Sequence, residues 1–303
     1  MSSILTLTAA AMRRGPLATW YPRVRDLVLA VLRAKASVET VLARAIAVLL
    51  ALLPTAVKAR LKQSFMPVAR LDYARHRILL HADAADALYR TAAVRKEPET
   101  VDWIEQYVRR GEVLYDVGAN VGAYSLIAAK HCEGDVTVLA FEPSFATYND
   151  LCRNVVLNGC QQSIVPLLMC LTAAPGMVRF GYSSLEPGSA LHVTGGGDAS
   201  ALDRAVYTQQ IPGFSIDALV AEFGCPLPNH IKIDVDGTEL DILRGAARTL
   251  DDARLRSIQI EVSPQDPSAA DVRALLETKG FGLVSRTRRG GGERWSNDLF
   301  VRG

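Results

Sequence analysis

The sequence predicts an α/β protein: a doubly wound, mostly parallel sheet over residues 65–303, preceded by an N-terminal helical extension, residues 1–64. Three observations lead there. From about residue 98, helix-period and strand-period patterns alternate, the mark of a parallel sheet with helices on its faces. Asp116-x-Gly118-x-x-x-Gly122 follows an apolar run and opens a small-residue helix. Acidic residues (Glu142, Asp234 and Glu261) stand at or near the ends of three further apolar runs, where open parallel sheets bind their ligands.

The elements follow in order. Val101, Ile104 and Val108 put an apolar stripe on a helix that opens at Pro98 and stops at Gly111. Val113–Val117 reads as a buried strand, 118–122 as a tight turn, and Ala123–Lys130 as a helix. A second strand, Val136–Phe141, ends in Glu142-Pro143, after which Ser144 is placed to cap a helix running to Asn158-Gly159. Ile164–Leu168 is the third strand. From Thr172 to Pro228 the alternation fails: Met177–Tyr182 reads as a strand, Gly188 and Gly195-Gly-Gly197 mark a long loop, and a short helix covers Asp217–Phe223. His230-Ile-Lys-Ile-Asp-Val-Asp-Gly237 is a strand delivering two carboxylates and a glycine. Ser257–Val262 is another strand, Ser268-x-x-Asp271 a capping-box-like helix start, and Phe281–Ser285 and Leu299–Arg302 two closing strands.

Composition narrows the class. With 49% hydrophobic and 22% charged residues the chain is an ordinary folded protein, and a net charge of +2 argues against a nucleic-acid partner. The charge is uneven: residues 1–60 carry nine Lys/Arg against Asp26 and Glu39, a net +7, leaving −5 for the rest. The five cysteines form no CxxC pair, so neither a zinc site nor a disulfide framework is indicated, and a reducing, cytoplasmic setting is expected. The first positive charges, Arg13 and Arg14, come after the mildly apolar start, the reverse of a secretory signal. Apolar residues then recur at helical spacing from Val24 to Leu52, a span of about 45 Å if unbroken. Glu39 and Arg44 interrupt the only candidate for a membrane crossing. Residues 24–53 are therefore expected to pack on the catalytic domain or mediate self-association, with peripheral contact on the inner face of the membrane as the sharper alternative.

The strand ends carry the chemistry. Glycines at 118 and 122 let the backbone approach a ligand closely and turn into a helix whose free N–H groups favour an anion. Glu142 follows Gly122 by 20 residues at the next strand end, placed to accept hydrogen bonds from ribose hydroxyls. Strand, glycine turn, helix, strand and acidic end in that order indicate a nucleoside site; an ordinary strand-to-helix turn is the plain alternative. Asn120 stands where a dinucleotide fingerprint has its middle glycine, which weakens an NAD reading.

With Lys96-Glu-Pro-Glu-Thr-Val101, Asp116-Val-Gly-Ala-Asn-Val-Gly122, Ala140-Phe-Glu-Pro143, Ile231-Lys-Ile-Asp-Val-Asp-Gly237 and Leu243-Arg-Gly245, the chain resembles the FkbM-type methyltransferases over approximately residues 65–303. The resemblance implies a seven-stranded, Rossmann-like class I methyltransferase fold, S-adenosylmethionine as cofactor, and O-methylation, with a sugar hydroxyl of a glycan or glycolipid as acceptor, as in polysaccharide modification. It implies that the turn at Asp116, Gly118, Ala119, Asn120 and Gly122 holds the methionyl part and Glu142 the ribose, with Ser125 and Pro143 also among the cofactor-binding residues. Many relatives have Glu where this chain has Asp236.

A hydroxyl attacking a sulfonium methyl needs alignment and removal of a proton. Asp234 is the expected base, with Glu261 and His230 in reserve, and Asp236 is expected to do a different job from Asp234. Plain roles stand beside two of these: His230 satisfying a backbone group, and Asp236 capping the helix after Gly237. No residue is assigned to a metal, since adjacent carboxylates serve as bases as readily as ligands. Two alternatives are set against this function: a glycosyltransferase that holds a divalent metal and a nucleotide sugar with Asp234-Val-Asp236, and a non-catalytic scaffold.

Overall fold

The computed structural model describes residues 38, 40–190, 192–194, 202–263, 265–289 and 295–303. The chain divides into two compact units, Met1–Phe65 and Met66–Gly303. In the first, residues 40–51 are helical and α1 (Thr55–Ser64) restarts after Pro54, which has no N–H to continue the helix before it. Val41, Leu42, Leu49 and Leu52 are exposed. The stretch from Val24 to residue 37, and with it much of the predicted basic stripe, lies outside the described residues. Among the described residues no helix is long and apolar enough to cross a membrane.

The second unit opens with an antiparallel pair, β1 (Val68–Arg70) and β2 (Leu79–His81), followed by α2 (Ala85–Arg90), α3 (Ala93–Lys96) and α4 (Pro98–Tyr107). The alternating part then runs β3 (Glu112–Val117), α5 (Ala123–His131), β4 (Val136–Phe141), α6 (Phe145–Leu157), β5 (Ile164–Leu167). Four strands that the sequence pattern only partly foretells come next: β6 (Cys170–Leu171), β7 (Gly176–Tyr182), β8 (Val193–Thr194) and β9 (Tyr207–Phe214). The chain closes with α7 (Ile216–Ala221), β10 (His230–Ile233), α8 (Glu239–Arg244), β11 (Ser257–Val262), α9 (Ala269–Thr278), β12 (Phe281–Arg289) and β13 (Trp295–Arg302).

Seven strands form the central sheet in the order β12-β13-β11-β10-β3-β4-β5. The five from β5 to β11 are parallel, and β13 runs antiparallel to both its neighbours. The order reverses between β3 and β10, so their connections leave in opposite directions and a crevice opens beyond their carboxyl ends. Two cores lie on the two faces. Leu114 and Val138 pack with Trp103, Ile104, Leu126 and Leu151 of α4, α5 and α6; Tyr115, Leu139, Ile231, Ile233, Ile258 and Ile260 pack with α7, α8 and α9. On β10 and β11 the face toward α4 is polar instead, with His230, Lys232, Ser257 and Gln259 all buried. Trp103 Nε1 donates to Ser257 Oγ at 2.9 Å and Gln259 Nε2 to Thr100 Oγ1 at 2.8 Å.

The remaining strands make a second sheet, β6-β9-β7-β8, where a long loop was expected. Its strand β9, Tyr-Thr-Gln-Gln-Ile-Pro-Gly-Phe, hides its character behind Pro212 and Gly213, the glycine being demanded by Thr172 and Val178 against its backbone. Of the predicted loop glycines, Gly195–Gly197 lie outside the described residues. Two caps also differ from expectation. Ser144 and Ser268 do precede α6 and α9, but neither hydroxyl caps its helix, and the Ser144 N–H instead donates to Glu142 Oε1 at 2.8 Å.

Candidate active site

A cavity of about 750 Å³ lies beyond the carboxyl ends of β3, β4, β10 and β11, with β7, β8 and β9 along one wall and Tyr89 and Arg90 from α2 on another. Its floor is the glycine turn. Gly118 has φ +78° and an added Cβ would stand 2.0 Å from the Asp234 carbonyl oxygen, so only glycine lets the turn lie against the end of β10. Gly118, Ala119 and Asn120 line the cavity, as do Glu142 and Pro143 at the end of β4. Asp116, Gly122 and Ser125 are placed behind that wall and support it. Ser125 Oγ donates to Asp116 Oδ2 at 2.5 Å, and Gly122, in the left-handed conformation, starts α5 where a Cβ would strike Leu151.

Glu142 is buried, and its two oxygens accept from the backbone N–H of Asn120 at 2.9 Å and of Ser144 at 2.8 Å. Burial pushes its carboxyl up to about 7 against those two hydrogen bonds. The Asn120 side chain donates to the Ser189 carbonyl at 3.0 Å, which ties the turn to the loop before β8.

At the end of β10 the sequence predicts a base, and the structure supplies Asp234 with a partner. Lys232 Nζ donates to Asp234 Oδ2 at 2.8 Å. Burial alone would raise the Asp234 carboxyl, but the Lys232 ammonium, helped by Lys96 and Arg90, brings it down to about 2. A carboxylate held so firmly ionised has little affinity for a proton. Glu261, at the end of β11 on the same cavity, is shifted the other way: burial and then the Asp234 and Glu97 carboxylates push it up to about 8, against Lys232 and Lys96. The two carboxyls are thus shifted in opposite directions.

Asp236 is exposed on the cavity rim. It does not cap the next helix: Thr238 holds that position, and the Gly237 N–H donates to Glu239 Oε1 at 3.2 Å. His230 is excluded from the site. It stands at the amino end of β10, opposite the crevice, where its ring nitrogens meet Ser257 Oγ at 2.7 Å and Glu112 Oε2 at 2.8 Å.

Sequence reading passed over Lys232, Lys96, Glu97, Arg90 and Trp295. All but Lys232 line the cavity. Lys96 and Glu97 pair at 3.0 Å. Lys232 had a signal, since a lysine between two isoleucines of a buried parallel strand has no solvent to reach and requires a partner. Among the described residues no group of three or more His, Cys, Asp or Glu side chains could hold a metal ion, and Asp234 of the acidic pair is bonded to Lys232.

Residues 116–283 match the methyltransferase FkbM domain. Over 198 residues the chain is 26% identical to a hexuronic acid methyltransferase, AglP, of Haloferax volcanii, covering 65% of this chain and 76% of that protein. It is 30% identical over 200 residues to the 31-O-demethyl-FK506 methyltransferase FkbM of Streptomyces tacrolimicus, covering 59% and 75% respectively. A solved structure of methyltransferase FkbM from Methylobacillus flagellatus superposes with a TM-score of 0.46 at 13% identity, over 70% of this chain and 62% of that one. With its seven-stranded sheet and matching domain, the chain belongs to the FkbM methyltransferase family and is an S-adenosylmethionine-dependent methyltransferase.

Proposed function

We propose that residues 65–303 transfer a methyl group to a hydroxyl oxygen of a sugar in a glycan or glycolipid, with Glu261 accepting the hydroxyl proton. One observation carries this reading: Glu261 stands at a strand end on the cavity wall with its proton affinity raised close to the working pH of a general base. The glycine turn and Glu142 fit the cofactor. Residues 118–120 line the cavity, the glycine at 118 lets that turn lie against the end of β10, and a buried carboxylate stands at the next strand end. When bound, S-adenosylmethionine supplies an electrophilic sulfonium methyl. The chain's own tasks would then be to hold the cofactor with the turn and Glu142, orient the acceptor hydroxyl, and take its proton on a Glu261 oxygen while the methyl group exchanges its bond to sulfur for one to oxygen and the neutral thioether S-adenosylhomocysteine is left to depart. Trp295 offers the acceptor an aromatic face, and Gln210 and Asp241 offer hydrogen-bonding groups. A relative named for hexuronic acid supports a sugar acceptor.

The test is transfer of tritium from methyl-labelled S-adenosylmethionine to a glucuronic-acid-terminated oligosaccharide, beside a neutral oligosaccharide. A base-stable methyl ether on either glycan supports the reading. A base-labile methyl ester, or label in neither glycan, overturns it.

A further inference from the structure

Among the described residues Lys232 is the one ammonium buried within the sheet's polar face. It sits on β10 directly across from Asp116 on β3 and Gln259 on β11. Its side chain is 4% exposed. Nζ is 2.8 Å from Asp234 Oδ2, 3.9 Å from Asp116 Oδ1, and 5.0 Å from the centre of the Tyr124 ring. Asp116 Oδ1 is buried and has no hydrogen-bond partner, so the Lys232 charge is its principal compensation. A buried cation with two carboxylates and an aromatic face around it is fixed in place. Two residues further along the strands stand Asp234 and Glu261, the first bound to Lys232 and the second on the cavity.

We propose that Lys232 is a positioning residue that divides the labour between these two carboxylates: it holds Asp234 as the permanent anion, and Asp234 in turn makes Glu261 the group that takes up a proton. This deepens the reading above and rests on its assignment of Glu261. Two carboxylates close together in a poorly solvated site cannot both ionise freely, and without a third charge they share a proton with no fixed owner. A cation bonded to one of them removes the ambiguity. The other charged groups facing the pair are Asp116 of β3, whose charge opposes that of Asp234, Lys96 and Glu97, from α3 and its end, and Arg90 of α2. Lys96 acts on both carboxylates and Glu97 opposes it on Glu261, so Lys232 alone carries a direct hydrogen bond to one member. In the chemistry, Lys232 touches neither cofactor nor acceptor; it acts through Asp234.

The experiment is a carboxyl ¹³C NMR titration of the free, full-length protein labelled at Asp and Glu, with signals assigned by Asp234→Asn and Glu261→Gln. In the wild type the Asp234 signal is expected to stay flat from pH 4 to 9 while Glu261 titrates in a single step. In Lys232→Met, Asp234 acquires a step inside that window and the Glu261 curve becomes biphasic; in Lys232→Arg, which keeps the charge, the wild-type pattern returns. An Asp234 signal still flat in Lys232→Met overturns the proposal. Where Lys232→Met fails to fold, Asp234→Asn decides: Glu261 must then titrate at least one pH unit lower, and an unmoved midpoint refutes the chain of influence. An active Glu261→Gln would sink the assignment of the base alone and leave these titration curves untouched.

Discussion

Replacing Glu261 by Gln removes the proton acceptor while keeping the size and most of the polarity of the side chain. A positioned general base contributes about 10²–10⁴-fold, so kcat should fall by that factor, about 3–5 kcal/mol of transition-state stabilisation. The pH profile is the sharper test. Glu261 is raised to about 8 by burial and by the charges of Asp234 and Glu97. It works only when deprotonated, so activity is present above that midpoint and lost as the pH falls through it. At pH 7 about one tenth of the free enzyme carries the ionised base, and kcat/KM should climb about tenfold before levelling above pH 9. With the positively charged cofactor bound, the corresponding limb of kcat lies at lower pH, since a nearby cation favours the carboxylate. The assay is initial-rate transfer of labelled methyl to the hexuronate oligosaccharide from pH 6 to 9.5. Binding of S-adenosylhomocysteine is measured by calorimetry alongside and should be nearly unchanged in Glu261→Gln. A variant within about threefold of wild type across the range, or a wild-type kcat/KM flat from pH 6 to 9, would refute the assignment.

Glu142→Ala leaves the N–H groups of Asn120 and Ser144 without their acceptor and takes a carboxylate from the cavity wall; S-adenosylhomocysteine should bind about 10–100-fold more weakly by calorimetry, and an unchanged Kd would remove Glu142 from the cofactor site. Gly118→Ala forces a Cβ against the Asp234 carbonyl at φ +78° and should cost about 1–3 kcal/mol, seen as a melting temperature lower by several degrees; a melting curve that does not move contradicts the packing described. His230→Ala breaks the contacts to Ser257 and Glu112 at the far end of β10 and should lower stability by about 1–3 kcal/mol with kcat intact, whereas a large loss of kcat in a folded variant would return His230 to the catalytic list.

Much of the fold was legible because its determinants are local. Strand β4 falls where Val136–Phe141 was read and β11 where Ser257–Val262 was read, since a buried parallel strand is an unbroken apolar run and its ends are set by Glu142-Pro143 and by the turn after Val262. The second sheet was mostly missed because β9 contains Pro212, a residue that pattern reading assigns to loops, and the strand survives on its pairing with β7. Residues 1–37 and 195–201 carry expectations on which the described residues do not bear.

The sequence by itself determined the order of strands and helices in the central sheet, the glycine turn and the set of carboxylates at the strand ends, because these depend on periodicity, φ preference and the polarity of single residues. Only the tertiary structure set the surroundings that shift each carboxyl. Asp234 and Glu261 are chemically near-identical acids 27 positions apart, and nothing in their spacing says which holds a proton. That depends on the dielectric and on charges brought within a few ångströms by the pairing of β3, β10 and β11, chiefly one lysine whose partners lie on two different strands' ends. His230 shows the same dependence in reverse. Three residues before Ile233 on the same strand as the site, it belongs to the opposite end of the sheet, because a strand has two ends and only its carboxyl end faces the crevice.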